Sequence, residues 1–201
     1  MNNKVKLIIG ILIFALVISG AYIAYDKLSG KYSDNMLATN APAITNSYSP
    51  LPYETSSLPD NQLQKAPDFT VYDSEGNMVK FSDFIGKPII LNFWASWCPP
   101  CKMEMPDFNK IYKEKGSEYQ FLMINLTDGS RETVEKANSF IKEQGYEFPV
   151  FYDTDVDAAR KYNTYSIPVT YFIDKHGNLA AYAQGAIDIQ TLQKGMEMIA
   201  E

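Results

Sequence analysis

The chain has 201 residues, two cysteines, one histidine and a formal net charge of −6 at pH 7. This length allows one ordinary domain with additional segments, and a hydrophobic content of 46% suffices for a core. The acidic balance argues against a basic surface that could bind phosphates, so we expect no nucleic-acid partner.

The N-terminal segment, residues 1–25, is predicted to anchor the chain in a membrane. Lys4 and Lys6 precede an uncharged, apolar run over residues 7–25, which is close to the about 20 residues that a membrane-spanning helix needs. Basic residues ahead of a single span keep the N-terminus in the cytoplasm, so the rest of the chain would lie outside the cell membrane. A cleaved signal peptide is the alternative, because the Ser-Gly-Ala segment at residues 19–21 would fit a cleavage site.

Residues 26–65 are predicted to form a flexible linker. They are rich in polar residues, show no helical or strand periodicity and contain four prolines: Pro42, Pro50, Pro52 and Pro59. Such a tether would hold the following domain near the membrane while letting it search for partners. A partly ordered strand around residues 48–53 is the alternative.

Residues 66–201 show a regular alternation of predicted elements. In chain order these are a hairpin (69–72 and 78–81), a buried strand (89–94), a helix ending near residue 115, a strand (119–126), a helix (131–144), an extended piece (150–152), a short helix (156–162), a second hairpin (169–173 and 179–183) and a closing helix (189–199). The alternation predicts an α/β fold with a mixed central sheet flanked by helices, an N-terminal hairpin and a central αβ insertion.

The two cysteines, Cys98 and Cys101, stand between the buried strand and a run of good helix formers. At a helix start the unpaired N–H groups and the helix dipole lower the pKa of a thiol. A structural disulfide would close only a tiny loop, and a zinc site needs about four ligands, whereas the chain adds only the distant His176. The pair is therefore predicted to be a redox-active dithiol, and we expect neither a metal nor another cofactor.

Two segments around this pair resemble the thioredoxin superfamily: residues 93–102 (FWASWCPPCK) with Pro106, and residues 166–170 (SIPVT). Within the superfamily the chain is similar to the TlpA/ResA-like branch of membrane-anchored thiol–disulfide oxidoreductases. Its marks are residues 66–69 (APDF), 91–94 (LNFW), 101–106 (CKMEMP) and 145–150 (GYEFPV). The resemblance covers residues 66–201 and implies a thioredoxin-like fold.

The residues around the dithiol then receive expected roles. Cys98, at the helix start, would attack a partner disulfide, and Cys101 would resolve the mixed disulfide. The resemblance implies that Pro168 is a cis-proline facing the cysteine turn, and that the backbone beside it at Ile167 pairs with an extended substrate segment. The expected partner-facing surface also includes Trp97, Pro99 and Pro100, with core packing as the alternative for Trp97.

Glu104 is the expected proton-handling residue. It lies three residues beyond Cys101 on the same predicted helix, and TlpA/ResA-like proteins often carry a glutamate here. Thioredoxins proper have a buried aspartate at the position of Asn92, and an amide cannot titrate. The alternative for Glu104 is a solvated residue on the helix surface.

The resemblance implies a disulfide reductase outside the cytoplasm that receives electrons from a membrane thiol-electron transporter. Its expected substrates are disulfide-containing proteins such as apocytochrome c, methionine sulfoxide reductases or cell-envelope proteins, and we expect a monomer. Pro100 stands where DsbA-type oxidants have histidine, which favours reduction. One alternative is a peroxiredoxin-like thiol peroxidase, whose site has a Pro-x-x-x-Thr-x-x-Cys segment. Here Cys98 matches the cysteine, but Leu91 and Ala95 stand in place of the proline and the threonine. Another is a non-catalytic binding module of the envelope.

Overall fold

The computed structural model describes residues 64–200, which form a thioredoxin-like α/β domain. Its strands and helices follow the order β1 (Thr70–Tyr72), β2 (Met78–Lys80), β3 (Ile89–Trp94), α1 (Pro99–Lys115), β4 (Gln120–Asn125), α2 (Val134–Gln144), β5 (Val150–Tyr152), α3 (Asp157–Lys161), β6 (Val169–Ile173), β7 (Leu179–Gln184) and α4 (Ile189–Glu197). A short 3-10 helix, Phe81–Phe84, joins β2 to β3.

The seven strands of this domain form a single mixed sheet in the order β2-β1-β5-β4-β3-β6-β7. β3 pairs in parallel with β4, and β4 pairs in parallel with β5. The hairpin strands β1 and β6 run antiparallel to their neighbours β5 and β3. The predicted fold class is confirmed, with α2 and β5 as the central insertion and β1–β2 as the N-terminal hairpin.

The inner strands of the sheet are buried on both faces: β3, beside the middle strand β4, is buried at all six positions, whereas the edge strand β2 is partly exposed. On one face, alternate β6 residues (Val169, Tyr171 and Ile173) join the main hydrophobic cluster. On the other face, Phe172 meets α4 at Gly195, where a Cβ atom would overlap the phenyl ring. This burial on both faces explains why β3 is apolar at every position except Asn92, as is typical of a parallel sheet strand.

Several element boundaries differ from the prediction by one to three residues, and at two of them a local hydrogen bond decides where the element starts or stops. The chain turns into a 3-10 helix at Phe81 instead of extending β2, since Asp83 accepts a hydrogen bond from the Lys80 backbone N–H at 3.0 Å. The helix predicted from residue 131 begins at residue 134, because the Thr133 side chain caps it by accepting from the Lys136 N–H. The closing helix ends at residue 197 instead of 199. α1 continues through Pro106, so this proline does not end the helix.

The predicted anchor and nearly all of the predicted linker lie outside the described residues. Within residues 64–200, no helix combines the length and the apolar character that crossing a membrane requires. The first described residues contact the turn between β6 and β7: Gln64 accepts a hydrogen bond from the Leu179 N–H at 2.8 Å, and Lys65 forms a bridge with Asn178.

Candidate active site

The cysteine pair lies where β3 ends and α1 begins. Cys98 has extended backbone angles and caps α1, and its Sγ accepts a hydrogen bond from the Cys101 backbone N–H at 3.2 Å. Pro99 and Pro100 occupy the first two helical positions, where the missing N–H of proline is tolerated because no intrahelical acceptor exists. The Cys98 sulfur therefore lies at the positive end of the α1 dipole, which favours a thiolate.

The structure holds the pair in its oxidised form. A disulfide joins Cys98 to Cys101, whose Cα atoms are 5.3 Å apart. Cys98 keeps 2% of its surface exposed and Cys101 keeps none, while Pro99 beside them is exposed. Of the two sulfur-bearing residues, Cys98 is thus the one that reaches the surface.

The loop before β6 faces this disulfide. The peptide bond between Ile167 and Pro168 is cis, as the resemblance implies, and the Ile167 carbonyl oxygen lies 3.8 Å from the Cys98 sulfur. Ile167 is half-buried and Pro168 is buried. The structure therefore brings together the two segments that the sequence separates by about 70 residues, and it leaves the backbone of Ile167 beside the reactive sulfur.

Glu104 is buried behind the disulfide and is not the solvated helix residue of the alternative interpretation. It is 2% exposed. Its Oε1 accepts a hydrogen bond from Asn92 Nδ2 at 2.9 Å, and its Oε2 accepts from the Ile187 N–H at 2.9 Å. Asn92 also donates to Thr170 Oγ1 at 3.0 Å. The carboxyl group is thus fixed among β3, β6 and the segment before α4.

Burial decides the charge of Glu104. Loss of water raises its pKa from 4.5 to about 8, although the hydrogen bonds from Ile187 and Asn92 act in the opposite direction. No cation is paired with this carboxyl group in the contacts described above. The side chain is consequently mostly a neutral acid at pH 7, and it can give or take a proton near neutral pH.

Trp97 was expected either on the partner-facing surface or packed in the core. It is half-buried, and a cation covers its ring. The Arg131 guanidinium carbon lies 3.5 Å from the centre of the indole ring. Arg131 itself is exposed. The Arg131 guanidinium therefore covers one face of the indole ring of the residue that precedes Cys98.

Sequence reasoning missed Glu132, a fully buried carboxylate that holds the cysteine loop. Its Oε1 accepts hydrogen bonds from the Ser96 N–H at 2.8 Å and from Asn125 Nδ2 at 2.7 Å, and its Oε2 accepts from the Ser96 hydroxyl at 2.6 Å. The residue falls within the helix predicted over residues 131–144, and no local pattern marks it. Its role arises from contacts that span 36 positions of the chain.

The remaining candidates take structural roles. Trp94 is fully buried, and Lys102 lies over the Phe140 ring, away from any assigned chemistry. Asp153 accepts hydrogen bonds from the N–H groups of Ala158 and Ala159 in the first turn of α3. Across residues 64–200, no group of three or more His, Cys, Asp or Glu side chains could hold a metal ion.

Comparison with known proteins agrees with this geometry. Residues 63–182 match the profile of the AhpC/TSA family. The chain belongs to this family. It is 34% identical to the thiol-disulfide oxidoreductase ResA of Bacillus thuringiensis subsp. konkukian over 139 residues, covering 68% of this chain and 77% of that protein.

Two solved structures are similar to this chain. The thiol:disulfide interchange protein DsbE of Chlorobium tepidum has a TM-score of 0.62 at 27% identity, covering 70% of this chain and 99% of its own. The exposed lipoprotein thioredoxin of Streptococcus pneumoniae has a TM-score of 0.55 at 32% identity, covering 65% of this chain and 99% of its own. Together with the closed cysteine pair, these relatives show that the chain is a thiol–disulfide oxidoreductase of the thioredoxin-like fold.

Proposed function

We propose that this protein reduces disulfides of partner proteins outside the cytoplasm, with its N-terminal segment anchored in the cell membrane. The observation that carries the proposal is the Cys98 sulfur at the α1 N-terminus, 3.8 Å from the Ile167 carbonyl oxygen. An extended partner segment can lie along Ile167 and present its disulfide to Cys98. The uncharged run over residues 7–25 supports the location.

The reaction begins from the reduced dithiol. The Cys98 thiolate attacks one sulfur of the partner disulfide, forms a mixed disulfide and releases the other partner sulfur as a thiolate. The Cys101 thiolate then attacks the Cys98 sulfur, which restores the intramolecular disulfide and releases the second partner thiolate. The partner gains two electrons and the dithiol loses two, so a membrane thiol-electron transporter has to reduce the pair again.

Glu104 would handle protons in this cycle. Cys101 is fully buried, so its proton has no direct route to water. Glu104 lies on the same helix and has a pKa of about 8; in its ionised form it can accept the proton when Cys101 attacks, and in its neutral form it can return a proton when the disulfide is reduced. Asn92 positions the carboxyl group but cannot itself titrate.

Several features favour reduction over the alternative functions. Pro100 precedes Cys101 in place of the histidine of DsbA-type oxidants. The Pro and Thr residues of a peroxidase site are absent, and buried Leu91 and Ala95 stand in their positions. Retention of both cysteines in a closed pair argues against a binding module without catalysis.

A trapping experiment tests the proposal. The Cys101→Ser variant of the full chain, expressed in its native host, should accumulate disulfide-linked partners on Cys98, because the resolving thiol is missing. The double variant Cys98→Ser/Cys101→Ser should capture none. Reduction of insulin by the wild-type chain, with no consumption of hydrogen peroxide, is the expected activity. Rapid peroxide consumption together with absent insulin reduction would support the peroxidase instead.

A further inference from the structure

A pocket of about 140 Å³ opens beside the loop that carries the cis-proline. Its walls include the rings of Tyr162, Tyr171 and Tyr182, together with Leu179. Tyr162 packs edge-to-face on Tyr171 with ring centres 4.9 Å apart, and Tyr171 stacks on Tyr182 at 6.0 Å. All of its lining side chains are uncharged, so an ionised ligand group would find no partner there.

The pocket is continuous with the reactive centre through the chain. Ser166 and Val169 line it, and the two residues between them are Ile167 and Pro168. The Ile167 carbonyl oxygen lies 3.8 Å from the Cys98 sulfur, so a polypeptide that reacts with Cys98 and extends along Ile167 in the direction of Ser166 or Val169 would reach the pocket lining. An extended chain advances about 3.3 Å per residue, so a side chain within about three residues of the target cysteine can enter.

Two buried hydroxyl groups in the pocket lining lack a partner. Tyr162 Oη and Thr164 Oγ1 make no hydrogen bond to any described residue, and Tyr162 is only 3% exposed. By contrast, the neighbouring Tyr171 hydroxyl donates to the Tyr162 carbonyl oxygen at 3.3 Å. An unpaired buried hydroxyl is unfavourable. Each of these two oxygen atoms has less than 1 Å² of accessible surface, so a polar atom of a ligand reaches it only when the Tyr162 ring or the Thr164 side chain shifts, and such a contact would relieve the unpaired group.

The size of the pocket selects the ligand. An apolar cavity of about 150 Å³ accommodates a benzene molecule, so this one has room for a single six-membered ring. Rings of Tyr, Phe and Trp prefer edge-to-face or offset contacts with other rings, and three tyrosines provide such contacts here. The two free hydroxyls add a preference for a ring with a polar tip.

We propose that this pocket binds one aromatic side chain of the partner protein, within three residues of the cysteine that Cys98 attacks, and binds tyrosine in preference to phenylalanine. The inference rests on the proposed disulfide reduction and specifies its substrate class. Partners would then be recognised by a ring beside their disulfide as well as by backbone pairing at Ile167.

Synthetic peptides provide the test. Each peptide carries one cysteine as its methyl disulfide, and a single Tyr, Phe or Ala is placed at each position from three before to three after the cysteine. The reduced full chain is mixed with each peptide, and the rate of peptide-thiol release is measured. We expect at least one position where Tyr accelerates release about tenfold over Ala, which corresponds to about 1.4 kcal/mol, and where Phe lies between them.

Two variants connect the preference to the pocket. Gln184 is exposed at its rim, so Gln184→Trp should fill the opening and abolish the aromatic preference without disturbing the core. Gln190→Trp, at an exposed position of α4, is the matched control and should retain it. Tyr162→Phe keeps the ring but removes the unpaired hydroxyl. It should abolish the preference for Tyr over Phe and retain the preference for an aromatic residue over Ala.

The outcomes of the peptide assay distinguish the aromatic-binding pocket from the proposed disulfide reduction on which it rests. Reduction of all peptides at equal rates would overturn the pocket assignment and leave disulfide reduction standing. Failure to reduce any peptide would overturn both. Residues preceding Gln64 are a competing occupant, since the chain enters the domain beside the pocket at Pro67. An aromatic preference that is absent in the wild-type chain and emerges only in a Tyr48→Ala/Tyr53→Ala variant would assign the pocket of the intact protein to the chain's own tyrosines and overturn the partner assignment.

Discussion

Asn92 and Glu104 form a buried amide–carboxyl pair that can serve both protonation states of the acid. As placed, Asn92 Nδ2 donates to Glu104 and to Thr170, and Asn92 Oδ1 has no partner among the described residues. This arrangement suits a charged carboxylate. Rotation of the amide by half a turn would instead let Oδ1 accept the proton of a neutral Glu104 and of the Thr170 hydroxyl. A neutral acid can therefore be satisfied without any backbone movement.

The raised pKa of Glu104 predicts a pH-dependent stability. Its folded pKa of about 8 lies above the ordinary value of 4.5, so its contribution is complete below about pH 4.5 and is lost as the pH rises through 8. We expect the free energy of unfolding of the oxidised protein to fall between pH 5 and pH 9 by an amount on the order of 3 to 5 kcal/mol from this group. Glu104→Gln should remove that fall, as measured by urea denaturation at both pH values.

Glu114→Gln is the matched control, because Glu114 lies on the exposed side of α1 and should leave the pH dependence unchanged. The same Glu104→Gln variant should lower the pKa of the Cys101 thiol in the reduced protein, since no carboxylate then opposes the thiolate. Thiolate absorbance measured during a pH titration reports this change. If both titrations matched the wild type, Glu104 would have no proton-handling role.

At the scale of elements, two loops at the same edge of the sheet hold the reactive centre. The loop between β3 and α1 carries the cysteines, and the loop between β4 and α2 supplies Glu132 beneath it and Arg131 above it. Because β3 and β4 are parallel neighbours, their carboxyl ends place these loops side by side. Glu132 fixes the backbone at Ser96, and Arg131 covers the next residue, Trp97. The cysteine turn is therefore positioned from outside its own segment.

Removing this support should loosen the cysteine turn. Glu132→Ala leaves the Ser96 N–H, the Ser96 hydroxyl and the Asn125 amide without their acceptor, and buried donors left unpaired cost about 1 to 3 kcal/mol each. We expect a loss of stability of about 3 kcal/mol or more in urea denaturation. We also expect slower alkylation of the reduced Cys98 thiol at pH 6, because the sulfur is no longer held at the α1 N-terminus.

Ser96→Ala is the matched variant for this prediction. It removes the hydroxyl that donates to Glu132 Oε2 but keeps the backbone bond to Oε1, so it should cost about 1 to 3 kcal/mol and leave the alkylation rate of Cys98 near that of the wild type. A purely structural Glu132 would lower stability without changing Cys98 reactivity. That outcome would contradict its role as a positioning residue.

Across the whole domain, local patterns predicted the elements and the reactive pair, whereas long-range contacts escaped them. The apolar run of β3 and the spacing of the cysteines are local, and the resemblance implied the cis bond before Pro168. The burial of Glu104 was not predicted, since helical spacing does not show what α4 and β6 cover. Glu132 and the tyrosine pocket arise from residues far apart in the chain, and a single sequence carries no signal that joins them.

The predicted anchor determines where this chemistry takes place. Residues 7–25 contain no charge and follow two lysines, so we expect the full chain to remain with membranes after alkaline carbonate washing. A variant lacking residues 1–25 should stay in the cytoplasm, because it has lost both targeting and anchorage.

In intact cells stripped of their wall, added protease should degrade a C-terminal epitope tag and spare an N-terminal one. A full-length chain recovered in the wash, or a C-terminal tag that resists protease until the cells are lysed, would contradict an extracytoplasmic, anchored domain. A mature N-terminus near residue 22 would instead support the cleaved signal peptide.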